Sequence, residues 1–247
     1  MLKIKKINKY TIIITILFYI IITTSHAAEY TLSASIGPFK KIIYSFEYII
    51  EQSETDYLLN FKIFTRGNIA KIITSEMNGK GYSKGIINDG NKVVKNYEYL
   101  EKNEKITKEY FIDFNDSLNI VGHREPSYDK SKLTPIKKDM LLEVIDPALA
   151  FYKLANFIDL ENCNMNLKVY DAKRRFDLLI TKISKDQNGF KCLITSKKIG
   201  GYKIKNNASP LEIPYEMIIE YKYIDGNLRM NSIEGKNSFL NMILERI

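Results

Sequence analysis

The chain has 247 residues, 45% of them hydrophobic and 27% charged, with a formal net charge of +8. That apolar share excludes a disordered chain, and the length suffices for one sizeable core. Only six of the 37 basic residues are Arg, and there is no Arg-rich helix or zinc-finger spacing, so a base-reading role and a nucleic-acid partner are excluded.

Lys3, Lys5, Lys6 and Lys9 precede an apolar run over 10–22, and small residues follow it. This is the three-part layout of a secretory signal peptide, with Ser25 and Ala27 at the −3 and −1 positions. The expectation is a leader over 1–27 and a single exported, periplasmic β-rich domain over 28–247. The rival is a retained anchor, but the run falls short of a bilayer span and polar residues follow it directly. No Cys follows the cut, so the acyl acceptor of a lipoprotein is missing. Cleavage removes four Lys and no acid, lowering the net charge from +8 to +4. No later stretch is long and apolar enough for a transmembrane helix, so no anchor is expected after cleavage.

Beyond the leader, periodicity reads mostly as strand. Tyr57, Leu59, Phe61 and Ile63 share one face, with Asn60 and Lys62 on the other. Residues 68–73 fit a weak helix, although their Ile content suits a strand equally. Gly79-Lys80-Gly81-Tyr82-Ser83-Lys84-Gly85 fails the spacing of a phosphate loop and reads as a mobile turn. Asn88-Asp89-Gly90-Asn91 is a hairpin turn. Asn115-Asp116-Ser117 and Asn207-Ala208-Ser209 match glycosylation sequons, which arise by chance in an Asn-rich chain. Carboxylate pairs such as Asp113/Asp116 and Glu98/Glu101 suit solvated faces, and residues 125–138, with two prolines, read as loop.

Asp146-Pro147 marks a helix start, an N-cap acceptor before a residue that needs no N–H at the first helical position. The helix expected over 147–156 puts Ala150, Phe151 and Leu154 on one stripe. Asp171-Ala172-Lys173 forms a turn between strands over 167–170 and 176–180. Beside it, Arg174, Arg175 and Asp177 suit a solvent-facing strand edge, or a binding edge for a partner or an anionic group. Tyr215, Met217, Ile219, Tyr221 and Tyr223 alternate with charged residues. Asp225-Gly226-Asn227 then turns the chain into Leu228 and Met230.

These strands, with little βαβ alternation, predict a mainly β fold: one curved antiparallel sheet or incomplete β-barrel with one short packed helix. The 17 Tyr suit it, since a ring can lie on a sheet while its hydroxyl meets water. Cys163 and Cys192, both in strand-like segments, pair as a structural disulfide in an exported protein; the alternative is two buried thiols. His123 is the one histidine outside the leader and reads as a surface-loop residue. It cannot complete a metal cluster, and no G-x-S-x-G motif stands near any Ser, so neither a catalytic set nor a metal or cofactor site is expected.

The stretch Asp146-Pro147-Ala148-Leu149-Ala150, then Cys163, then Val169-Tyr170-Asp171-Ala172-Lys173-Arg174-Arg175-Phe176-Asp177-Leu178, resembles the bacterial domain-of-unknown-function 3108 family. Cys192 followed by Gly200-Gly201-Tyr202 adds to the likeness. The resemblance implies an exported envelope protein with no assigned activity and a curled sheet similar to periplasmic lipoprotein carriers. Ala172 stands where that family usually has Gly, which argues against a strict type I′ turn, because Ala resists positive φ. Two functions without catalysis remain. One is the binding of a lipid-like apolar ligand in the hollow of the sheet. The other is an envelope scaffold binding a protein partner. Tyr57, Leu59, Phe61, Ile63, Met217, Ile219 and Tyr221 either line that hollow or fill it. Oligomeric state is left open.

Overall fold

Alternating apolar and polar residues draw most of this chain into strands. The computed structural model describes residues 24–36, 39–66, 78–103, 106–115, 117, 119–127, 129–156, 163–204, 215–224, 226–236 and 241–247. A first meander comprises β1 (Thr24–Ile36), β2 (Phe39–Gln52), β3 (Asp56–Thr65), β4 (Asn78–Asn88), β5 (Asn91–Lys102), β6 (Thr107–Phe114) and β7 (Ile120–Arg124). A second comprises β8 (Met165–Tyr170), β9 (Arg175–Asp186), β10 (Gly189–Gly200), β11 (Glu216–Ile224), β12 (Asn227–Lys236) and β13 (Asn241–Arg246). Helix α1 (Pro147–Ala155) lies between them in sequence.

All neighbouring strands run antiparallel in one 13-stranded sheet, β7-β6-β5-β4-β3-β2-β1-β13-β12-β11-β10-β9-β8. The two meanders therefore join through β1 and β13, from Tyr30↔Arg246 to Ser35↔Asn241. Helix α1 touches β3 and β4 of one meander and β8 and β12 of the other. In a flat sheet β4 and β8 would stand about 43 Å apart, nine spacings of about 4.8 Å. A helix only about 10–12 Å across reaches both because the sheet curls around it. The edges β7 and β8 approach without forming a ladder: the His123 ring lies edge-on to Tyr170 with centroids 6.4 Å apart. The β8 edge is covered by the approach to the helix, where Ile145 N donates to Lys168 O (2.9 Å) and Tyr170 N donates to Ile145 O (3.0 Å). The fold is the expected one: an open, curled antiparallel sheet around one helix.

The core gathers inside the curl. Ile50, Leu59, Val94, Ile112, Leu149, Ile194, Ile219 and Met230 are all fully buried in one continuous cluster that spans both meanders and the helix. Asp89 (φ 48°) and Gly90 (φ 76°) carry the two positive φ values that a type I′ hairpin between β4 and β5 needs. Strand β1 starts at Thr24, so a cut after Ala27 would remove its rungs to Ile49–Gln52 of β2 while sparing every rung to β13.

Three expectations are corrected. Residues 79–85 are strand β4, not a turn. His123 lies on edge strand β7, not in a loop. Cys163 precedes β8 rather than lying in a strand. Ala172 adopts φ 71°, but neither Asp171 nor Lys173 beside it has a positive φ, so a strict type I′ turn is absent as expected; local hydrogen bonds offset the strain at Ala172. Asp171 Oδ1 accepts from Lys173 N (3.0 Å) and Arg174 N, and Tyr170 Oη donates to Ala172 O (2.7 Å). The helix suggested for 68–73 and the sequon at 207–209 lie outside the described residues.

Candidate functional site

Strand β4 turns Gly79, Gly81, Ser83 and Gly85 toward the hollow. A Cβ on Gly81 would sit 2.6 Å from the Phe61 ring, and one on Gly79 would sit 2.5 Å from Tyr99 Oη. With no side chain there, rings from the flanking strands lean over β4; the register Phe61↔Gly81↔Tyr99 places them opposite each other. Centroids in the resulting row are 5.8 Å apart for Tyr110–Tyr99 and for Tyr99–Phe61, and 6.2 Å for Phe61–Phe46. Phe46 then meets Phe151 of α1 at 4.5 Å, edge to face.

Ser83, the one polar residue on that face of β4, holds the helix start. Its Oγ donates to Asp146 Oδ2 (2.7 Å), and Leu149 N donates to Asp146 Oδ1 (2.9 Å). Tyr57 Oη lies 3.3 Å from Ser83 Oγ. Asp146 is fully buried with no cation beside it among the described residues. Burial raises its pKa from 3.8 to about 6, and the hydrogen bonds from Leu149 N and Ser83 oppose that rise.

Beside this joint lies a cleft of about 500 Å³. Tyr44, Phe61, Tyr97, Ala148, Phe176 and the carboxylate Asp171 are buried; Phe46, Ile63, Tyr99, Tyr110 and Phe151 are half-exposed, and Glu101 and Arg174 add further charge. The charges are largely satisfied internally. Glu101 pairs with Lys108. Asp171 accepts from Arg174 Nε and is bridged by Arg174 Nη2, each at 2.7 Å, besides the two turn N–H groups. Burial raises the phenol pKa values of Tyr97 and Tyr99, and that of Tyr110 to about 12, so all three stay protonated and able to donate. Grooves of about 510 and 470 Å³ on the other face of the first meander are lined by charged residues such as Glu47, Lys62, Lys84 and Lys95.

The residues singled out from sequence fall in two places. Phe61 and Ile63 line the cleft. Tyr57, Leu59, Met217, Ile219 and Tyr221 pack in the core away from it, and Tyr221 Oη donates to Leu154 O of α1 (2.7 Å). Arg174 reaches the cleft, but Arg175 and Asp177 do not. Arg175 is buried rather than solvent-facing: its Nε donates to Met140 O (2.8 Å), and its Nη1 bridges Asp177 at 2.7 Å. Both lie on β9, paired on either side by β8 and β10, so they are no free edge. The cleft's Tyr44, Tyr97, Tyr99 and Tyr110 were not singled out. For Tyr97 and Tyr99 the signal was the alternation Tyr97-Glu98-Tyr99, which pairs with Ser83 and Gly81 of β4. Cys163 and Cys192 form the expected disulfide. No group of three or more His, Cys, Asp or Glu that could hold a metal occurs among the described residues.

No family model matches the chain, and no curated protein matches it. Among solved structures, it is similar to the crystal structure of a DUF1329 family protein from Desulfovibrio piger. The likeness covers 92% of this chain and 85% of that chain, at 8% identity and a TM-score of 0.24. A likeness of that size carries no argument about the site.

Proposed function

We propose that this is an exported, non-catalytic envelope protein that binds a lipid-like apolar ligand in the cleft between α1 and the first meander. The observation that carries the reading is the cleft itself. Its size lies within the range of small-molecule sites, and its lining is aromatic and aliphatic with few polar groups. Export is supported by the leader-like N-terminus and by a disulfide, which persists in oxidising compartments. Placement with the domain-of-unknown-function 3108 group rests on the 146–202 motif alone.

The scaffold reading has its own support, because the half of the hollow under Met217, Ile219 and Tyr221 is filled. The chain lacks Trp, so Phe151→Trp would place a single indole at the cleft. Titration with a long-chain amphiphile should shift and saturate that fluorescence. No shift with any amphiphile, from a variant as stable as the parent, would favour the scaffold.

A further inference from the structure

The cleft's polar groups are not evenly paired. Glu101 is held by Lys108, and Asp171 accepts from four N–H groups of its own turn and Arg174. The carboxylates are thus committed. The donors are not. Arg174 uses Nε and Nη2 on Asp171, and its Nη1 makes no hydrogen bond among the described residues, with the side chain half-exposed at the rim. The hydroxyls of Tyr97, Tyr99 and Tyr110 likewise make no hydrogen bond among the described residues, and all three side chains line the cleft. Each of the three feels the charge of Arg174, although a carboxylate (Asp146 for Tyr97, Glu101 for Tyr99 and Tyr110) acts on it more strongly. One guanidinium and three phenols therefore line one cleft with the apolar surface of Phe46, Ile63 and Phe151. The guanidinium N–H and the phenolic O–H groups are donors from which an oxyanion can accept.

Resting on the apolar-ligand reading, we propose that the cleft takes an anionic amphiphile. Arg174, with the Tyr97, Tyr99 and Tyr110 hydroxyls, holds its carboxylate or phosphate head group, and the chain lies on Phe46, Ile63 and Phe151. Asp171 is the positioning residue that aims the guanidinium.

The test is calorimetric titration of the disulfide-bonded protein, its Arg174→Gln and Arg174→Lys variants, with three sixteen-carbon probes: the carboxylate, the phosphate monoester and the alcohol. The expected result is that one or both anions bind the parent at least about tenfold more tightly than the alcohol does. R174Q should remove that margin and R174K should restore part of it, and saturable alcohol binding by all three proteins reports an intact cleft. A preference for the carboxylate assigns a free fatty acid, and one for the phosphate assigns a lipid head group. Equal binding of alcohol and anions by the parent, or an unchanged margin in R174Q, overturns the head-group assignment alone. Failure of all three probes to bind the parent overturns the apolar-ligand reading beneath it.

Discussion

Asp146 shows how one residue can be half legible. Its position before Pro147 announces a helix cap, and the structure has that cap, with Leu149 N donating to the carboxylate. Its burial could not be read, because the partner that draws it inward, Ser83, lies 63 residues away on β4. The consequence is a pH dependence. A folded-state pKa of about 6, above the ordinary 3.8, means the fold favours the protonated acid. The stability this group contributes is therefore full below about pH 4 and lost as pH rises through about 6. Asp146→Asn keeps an acceptor for Leu149 N and removes the titration. Denaturant melts at pH 4 and pH 7 should show the parent losing on the order of 2–3 kcal/mol relative to the variant. Parallel profiles for the two proteins would mean that the fold does not raise the Asp146 pKa.

Elements were legible where local chemistry decides them. Asp89-Gly90 specifies its own turn, and Tyr57-x-Leu59-x-Phe61 specifies its own inward face; both stand in the structure as read. Strand β4 was misread because three glycines in seven residues look like a turn when seen alone. Their purpose appears only beside β3 and β5, whose Phe61 and Tyr99 rings occupy the space that side chains on β4 would take. Arg175 was misread for the same reason, since its partner Met140 belongs to the crossing between the meanders. The disulfide acts at this scale too. It ties the lead-in to edge strand β8 onto β10, across β9. Closing a loop of 29 residues, it stabilises by about 3–4 kcal/mol in the chain-entropy model. The paired Cys163→Ala, Cys192→Ala variant should lose that much in urea melts under oxidising conditions; an unchanged midpoint would show that packing alone holds the β8 edge.

Across the whole molecule, chain order and sheet order differ in one respect that matters. The first and last strands meet at the centre of the sheet, so the crossing that carries the helix links the two edges, and the helix lies inside the curl. That topology explains both the filled half of the hollow and the aromatic cleft left at the helix N-terminal end. Sequence periodicity implies a curled sheet with a short helix. It cannot divide the hollow into filled and open parts, because that division depends on where the rings of β2, β3, β5 and β6 fall relative to α1. The central claim is that the open part holds an amphiphile in the cell. Native mass spectrometry of the protein purified without detergent from its own cells tests it most directly. The account predicts a mature chain beginning at Ala28 that carries an adduct, lost on organic extraction and identified as an anionic amphiphile. A chain that is adduct-free as purified and remains so after incubation with envelope lipid extract would contradict it.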